Sequence, residues 1–216
     1  MSNRITFVVD GFNLYHSVKD LRKATGNDYR WLNIASLCDS FLSAIGNRAT
    51  RQDIFYFSAL AYHRERWKPG GVARHKAVIA ALESTGVLVE LAKFKPKDIE
   101  YKCDNCGHLG LVRRHEEKET DVALAIKVME LAVHPDVDGV VLVSGDTDLL
   151  PAIRAAKRLD PKMPLYVLFP FRRHNGSIAR EVTRTFTLTE SHYGAHLFSD
   201  PVLTPTQTIS CPSNWK

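Results

Sequence analysis

Short apolar runs along the chain indicate buried β-strands, and the segments between them repeat apolar residues at helical spacing. The predicted strands are 5–9, 53–59, 87–94, 139–143 and 164–169, with an edge strand at 186–188. Helical spacing is found within 34–45, 78–82, 121–133 and 149–159. Strands that alternate with helices predict an α/β fold in three layers, in which helices flank a mostly parallel central sheet.

The chain has 216 residues, of which 44% are hydrophobic, and this suffices for one globular core. We assign residues 1–199 to the domain and residues 200–216, which are rich in Pro, Thr and Ser, to an extended C-terminal tail. No apolar run approaches the roughly 18–20 residues that span a bilayer. The first residues are typical of a strand, not of a signal peptide. We therefore expect a soluble, cytoplasmic protein with no membrane partner.

The net charge of +5 is compatible with a polyanionic partner. Basic residues in predicted loops form a candidate RNA-contacting rim, in which an aromatic ring is available to stack on a base. The rim consists of Arg64, Arg66, Trp67, Lys68, Arg172 and Arg173. Taken singly, each of these residues is better explained as part of a solvated loop, and only the group predicts contact with RNA.

Aspartates follow two of the predicted strands at the point where each strand ends. Asp10 follows the first strand, and Asp146 follows the strand at 139–143. Because ligands bind outside the carboxyl ends of parallel strands, we expect both residues at one edge of the sheet. Asp121 opens a predicted helix, and Asp148 comes two residues after Asp146. Carboxylates from separate elements are suitable ligands for Mg²⁺ or Mn²⁺, which can activate water for attack on a phosphate.

Each aspartate also has a simpler explanation. Asp10 followed by Gly is an ordinary signal for a turn after a strand. Asp146 and Asp148 can serve as helix caps, and for Asp148 this explanation is as good as metal binding. Asp121 can interact with the positive end of its helix dipole. A shared metal site explains all of these positions together, whereas capping requires several coincidences.

Three sequence blocks resemble the signatures of NYN-domain proteins, a family within the PIN-like ribonuclease superfamily. The blocks are Asp-Gly-Phe-Asn-Leu at 10–14, Lys-Glu-Thr-Asp-Val-Ala-Leu-Ala at 118–125 and Val-Ser-Gly-Asp-Thr-Asp-Leu-Leu-Pro at 143–151. The resemblance includes their order and spacing, and it continues more loosely to residue 188. It implies a PIN-like, Rossmann-like fold and cleavage of RNA by metal-activated water, which leaves 5′-phosphate and 3′-hydroxyl ends.

The resemblance also implies roles for particular residues. Asp10, Asp121 and Asp146 would be the principal metal-binding and catalytic carboxylates, with Asp148 as a fourth. Two polar residues would orient a carboxylate, a water molecule or a phosphate, and these are Asn13 and Ser144. Relatives of this fold often pair, so the resemblance also suggests a homodimer.

One position departs from the family pattern. Many relatives carry an acidic residue where this chain has Lys127. A protonated lysine cannot ligate a cation, so Lys127 either weakens a second metal site, binds phosphate or lies at the surface. This departure supports an alternative function, an RNA-binding regulatory module with weak or no nuclease activity. A phosphatase is a third hypothesis, but Phe12 stands where an aspartyl-phosphate enzyme would need a second aspartate.

A Cys-x-x-Cys pair lies in a predicted insertion at about 95–117. Cys103 and Cys106, with the nearby His108 and His115, are candidate ligands for a structural Zn²⁺ that would stiffen the insertion. A surface hairpin with two reduced thiols explains the pair equally well, because a single Cys-x-x-Cys is half of a zinc signature.

Overall fold

The computed structural model describes residues 3–215. Seven strands form the main sheet: β1 (Asn3–Asp10), β2 (Ala49–Ala59), β3 (Leu88–Lys102), β4 (Leu109–Lys118), β5 (Gly139–Val143), β6 (Leu165–Phe169) and β7 (Arg184–Thr187). Their order across the sheet is β4-β3-β2-β1-β5-β6-β7. All neighbours are parallel except β3 and β4, which are antiparallel.

Helices cover both faces of this sheet. They are α1 (Gly11–Thr25), α2 (Ile34–Ser40), α3 (Leu42–Ile45), α4 (Gly71–Glu83), α5 (Thr120–Ala132), α6 (Leu150–Leu159), α7 (Gly176–Ala179) and α8 (Glu190–Ala195). Side chains of α1, α2, α4 and α8 pack on one face, and those of α5, α6 and α7 pack on the other. The predicted three-layer α/β fold is confirmed.

Strand β1 shows how the sequence is divided between the two cores. Phe7 and Val9 pack into one core, whereas Val8 packs into the other, as expected from side chains that alternate along a strand. Because both faces are covered, residues 5–9 are apolar except for the buried Thr6, which explains the strand signal in the sequence. The β1 strand lies between β2 and β5, where the direction of chain progression across the sheet reverses. Such a switch point opens a crevice at the carboxyl edge, and Asp10 is the last residue of β1 there.

The predicted insertion is the outer part of a long β-hairpin. Strand β3 pairs with β2 only over 88–92, and beyond this point its sole partner is β4, from Lys93 opposite Lys118 to Lys102 opposite Leu109. Ten residue pairs at about 3.4 Å per residue give a ribbon roughly 30 Å long. The ribbon projects past the carboxyl edge of the sheet, and Cys103 and Cys106 lie in its turn.

Residues 200–215 depart from the extended tail expected from the sequence. They contain a short antiparallel pair, β8 (Val202–Leu203) and β9 (Thr208–Ile209). Ile209 and Cys211 are buried in the main core, and the Arg30 guanidinium lies 4.3 Å from the centroid of the Trp215 ring. A few well-placed apolar residues therefore dock a segment whose composition is typical of an extended chain. Within residues 3–215, no helix combines the length and apolar character needed to cross a membrane.

Candidate functional site

Asp10 is the central carboxylate of the site and is almost fully buried, with 4% of its surface exposed. It ends β1 and caps α1, because its Oδ1 accepts a hydrogen bond from the Asn13 backbone N–H at 2.9 Å. Its Oδ2 accepts a hydrogen bond from the Ser144 hydroxyl at 2.8 Å. Burial raises the pKa of Asp10 to about 6, although both hydrogen bonds oppose the rise, and the charges of Asp121 and Asp146 raise it further. The carboxylate is thus fixed in place and costly to ionise.

A close approach at Gly11 allows α1 to begin directly after Asp10. A Cβ atom at this position would lie 2.5 Å from the Phe57 carbonyl oxygen and 2.6 Å from a ring carbon of Tyr56. Only glycine fits between the helix and these groups. Burial raises the pKa of the Tyr56 phenol to about 12, and the Asp10 charge contributes to the rise. Sequence reasoning missed Tyr56, because it lies within an apolar strand with no motif around it.

The loop after β5 is tied to Asp10 through hydrogen bonds. The Asp146 backbone N–H donates to the Ser144 hydroxyl oxygen at 3.1 Å, and the Gly145 N–H donates to Asn13 Oδ1 at 3.2 Å. Asp146 Oδ1 accepts from the Asp148 N–H at 3.0 Å and so caps the short turn that precedes α6. Asn13 and Ser144 therefore hold this loop against Asp10. Asp146 caps the following turn and also lies in the aspartate cluster, so the two explanations given for it are compatible.

Asp121 and Asp146 lie within electrostatic range of Asp10, and Asp146 and Asp148 lie within electrostatic range of Asp121. Asp121 is exposed in the first turn of α5, and its pKa is raised by partial burial and by the charges of Asp146 and Asp148. Oxygen donors of this kind suit a hard divalent cation, which would relieve their mutual repulsion. Among the described residues, however, no three His, Cys, Asp or Glu side chains are already arranged around a single ion.

Glu117 is a further carboxylate that the sequence did not reveal. It lies near the end of β4 and accepts a hydrogen bond from the Thr120 hydroxyl at 2.5 Å. Partial burial raises the pKa of Glu117, the hydrogen bond lowers it, and the neighbouring Asp121 charge raises it. Glu119, which lies between Glu117 and Asp121 in the chain, has a φ of 81°, a strained conformation for a residue other than glycine. Glu117 lies four residues before Asp121, and the turn through Glu119 keeps the two carboxylates within electrostatic range.

Lys127 lies on the flank of the domain, not among the aspartates. Its ammonium group is 3.0 Å from Glu130 and 3.8 Å from Glu90, and it lies 4.5 Å from the centroid of the Phe55 ring. Six residues of helix separate it from Asp121, which corresponds to a rise of about 9 Å. Of the three explanations considered for Lys127, the structure favours a partly exposed side chain held by ion pairs.

A cleft of about 620 Å³ opens next to Gly11 and Tyr56. Its aromatic lining comprises Phe12, Tyr15, Tyr29, Tyr56, His63, His75, Phe94, His115 and Trp215. Its cationic lining comprises Arg30, Arg64, Lys68 and Arg74. The His63 and His115 rings are stacked with centroids 4.2 Å apart. The cleft combines rings and positive charges within one residue of Asp10, a combination suited to nucleobases and phosphates.

The residues of the predicted RNA-contacting rim have different positions. Arg64 and Lys68 line the cleft, whereas Arg66 is exposed outside its lining and Trp67 is 72% exposed. The other two arginines follow β6, in a loop that touches the loop after β5.

In that second loop, Arg172 is exposed and Arg173 forms an ion pair with Asp20 at 2.6 Å. The Arg173 carbonyl oxygen would lie 1.9 Å from a Cβ on Gly145, so glycine is required for the two loops to meet. The loop of Arg172 therefore borders the aspartate cluster.

The structure does not assemble the predicted set of four zinc ligands. Cys103 and Cys106 share the hairpin turn with His108 beside them, but His115 lies opposite Pro96, well down the ribbon. His115 instead stacks on His63 in the cleft. The proximity of His115 to the cysteines in sequence was misleading, because a β-ribbon extends by about 3.4 Å per residue.

Comparisons with known proteins concern the family and the fold of the chain. The sequence model of the NYN domain matches residues 4–188. Among solved structures, a protein of unknown function from Vibrio parahaemolyticus superposes with a TM-score of 0.56 at 17% identity, over 91% of this chain and 97% of that chain. The likeness to that structure shows a shared fold. A comparison with curated proteins gives no match. The match extends over most of the chain and includes all three signature blocks, and the chain therefore belongs to the NYN-domain family, within the PIN-like nuclease superfamily.

Proposed function

We propose that the protein is a metal-dependent ribonuclease that hydrolyses phosphodiester bonds at the aspartate cluster. The observation that carries this proposal is Asp10, a buried carboxylate whose pKa is raised to about 6 beside Asp121 and Asp146. A fold does not bury a carboxylate among other carboxylates without a compensating role, because each unpaired charge costs stability. Membership of a nuclease superfamily gives the cluster its reaction class.

The candidate ligands are Asp10, Asp121, Asp146 and Asp148, and the cation is Mg²⁺ or Mn²⁺. A bound ion of this type supplies activation of water and neutralisation of phosphate charge. The chain's own contribution is to hold Asp10 rigid through Asn13 and Ser144. Each Asp10 oxygen keeps a second lone pair for a cation. Asp121 and Asp148 are more exposed and can adjust their side chains when substrate and ion enter.

The cleft supports single-stranded RNA as the substrate. Aromatic side chains bind unstacked bases in a single strand, whereas bases in a duplex are already stacked and less accessible. Arg64 and Lys68 can contact phosphates at one side of the cluster, and Arg172 can do so at the other. The strand would then pass over Asp10 between two basic loops.

The test is cleavage of labelled single-stranded RNA by the full chain in Mg²⁺, in Mn²⁺ and in EDTA. We expect cleavage that requires the metal and is lost in Asp146→Asn. Asp160→Asn is the matched control, because Asp160 follows α6 at the opposite edge of the sheet. Cleavage that persists equally in Asp146→Asn and the wild type would refute the assignment of the site.

One observation favours a second candidate, an RNA-binding regulatory module of the same fold. The described residues contain no ready-made arrangement of three carboxylates around an ion. Under this alternative, the purified protein binds single-stranded RNA, with weaker binding after Lys68→Ala, but shows no metal-dependent turnover. A small phosphoester tested with the same ions would separate both candidates from a phosphatase.

A further inference from the structure

The turn of the β3–β4 hairpin has the geometry of a metal-binding knuckle. The Cys103 N–H donates to the His108 carbonyl at 2.8 Å, and the Gly107 N–H donates to the Cys103 carbonyl at 2.8 Å. Gly107 has a φ of 69°, which closes the turn in a conformation suited to glycine. The backbone N–H groups of Cys106 and Asn105 donate to the Cys103 sulfur. The turn therefore brings the Cys103 and Cys106 sulfurs together.

This knuckle supplies only half of the ligands that zinc requires. Structural zinc sites are tetrahedral, with four cysteine or histidine ligands. Within residues 3–215, no third His, Cys, Asp or Glu lies close enough to the pair to form a metal-binding group. Cys38 and Cys211 are buried in the main core, and His115 lies in the cleft. Cys103 and Cys106 therefore supply two of the four ligands, and a second pair of cysteines would complete the tetrahedron.

The surface around the knuckle also indicates a protein neighbour. Leu109 and Leu111 are 73% and 64% exposed on the first residues of β4. Being two residues apart on a strand, they project from the same face of the ribbon, next to the cysteines. The ribbon carries these two leucines, which lie opposite Lys102 and Glu100, beyond the carboxyl edge of the sheet.

We propose that the hairpin tip is half of a zinc site, which is completed by Cys103 and Cys106 of a second copy of this chain. Two knuckles supply four sulfur ligands, and binding one Zn²⁺ releases the four thiol protons. The two copies are related by a twofold axis through the ion, so that the leucines of one tip face those of the other. The resulting negative charge at the metal is offset by basic side chains of the ribbon, including the exposed Lys102. This proposal is independent of the nuclease proposal.

The experiment uses the full chain, stripped with a chelator and titrated with Zn²⁺ under reducing conditions. We expect one zinc bound per two chains, with the mass from light scattering rising from 24.3 kDa to twice that value. Replacement of zinc by Co²⁺ should give the visible bands of tetrahedral cobalt and an ultraviolet thiolate charge-transfer band.

Cys103→Ser and Cys106→Ser should each abolish both zinc binding and the increase in mass. His115→Ala is the matched control and should keep both. Circular dichroism establishes that each variant is folded. Binding of one zinc per chain without a change in mass would overturn the proposal, since the site would then be completed within one chain. Absence of bound zinc in the folded wild-type protein would also overturn it, and the hairpin would then be a turn with reduced thiols.

Discussion

Asp10→Asn tests the energetic basis of the site. Asparagine has the same shape as aspartate, and its oxygen can still accept the capping hydrogen bond from Asn13. The Ser144 hydroxyl can rotate and accept a hydrogen bond from the new amide. The substitution thus removes the buried charge while preserving the local structure.

The size of the effect follows from the pKa of Asp10. Its pKa rises from 3.8 to about 6 in the folded protein, mainly through burial. Because a tenfold change in proton affinity corresponds to about 1.4 kcal/mol, ionisation of Asp10 costs the native state about 3 kcal/mol at neutral pH. We therefore expect Asp10→Asn to be more stable than the wild type at pH 8, by up to this amount, and to have no nuclease activity.

The contribution of Asp10 to the free energy of unfolding changes with pH in a direction that follows from its raised pKa. Between about pH 4 and pH 6, the folded protein binds more protons than the unfolded chain, so the Asp10 contribution to stability becomes less favourable as pH rises. Below about pH 4 the carboxyl group is neutral in both states and contributes no difference. The stability gained by Asp10→Asn should consequently be small near about pH 4 and should reach its full value above about pH 6.

Urea unfolding followed by circular dichroism at pH 4.5 and pH 8, in the presence of EDTA, measures this difference. Addition of excess Mg²⁺ or Mn²⁺ at pH 8 should stabilise the wild type alone and reduce the gap, because the ion binds the folded carboxylate cluster. The reasoning is refuted if Asp10→Asn is the less stable protein at pH 8, or if the difference does not change with pH.

Three further predictions concern the loop at Gly145, the cleft and the flank of the domain. Gly145→Ala should lower the free energy of unfolding by about 1–3 kcal/mol, measured in urea, because its Cβ would lie 1.9 Å from the Arg173 carbonyl oxygen; unchanged stability would mean that the two loops do not meet. Lys68→Ala should weaken RNA binding and reduce the magnitude of the log–log salt slope by about 1, whereas Arg66→Ala, outside the cleft lining, should have a smaller effect. Lys127→Met should leave metal-dependent cleavage within about twofold of the wild type while reducing thermal stability slightly through loss of surface ion pairs, and a large change in metal dependence would show that Lys127 acts on the site.

Local sequence patterns sufficed to predict most of the central fold. Strands β1, β5 and β6 are buried on both faces, so their mostly apolar runs stand out in the sequence. The position of Asp10 and Asp146 at one edge also followed from the sequence, because parallel strands all end on the same side. Helix α1 was not predicted, because Asp followed by Gly suggests a turn, whereas the chain here enters a helix at once.

The partners of the site were decided only by tertiary structure. His115 reaches His63 through the path of the ribbon, so no spacing in the sequence could reveal this contact. Glu117 lies four residues before Asp121, but only its partial burial in the fold distinguishes it from the other acidic residues near the end of β4. The C-terminal segment was misjudged by composition, since its docking depends on whether Ile209 and Cys211 find a complementary core. The sequence by itself determined the elements, the edge of the sheet and the chemical type of the carboxylates, because these depend on periodicity and on side-chain chemistry. The tertiary structure alone decided the burial of Asp10 and hence its raised pKa, because desolvation depends on groups that are distant along the chain and packed together only in the fold.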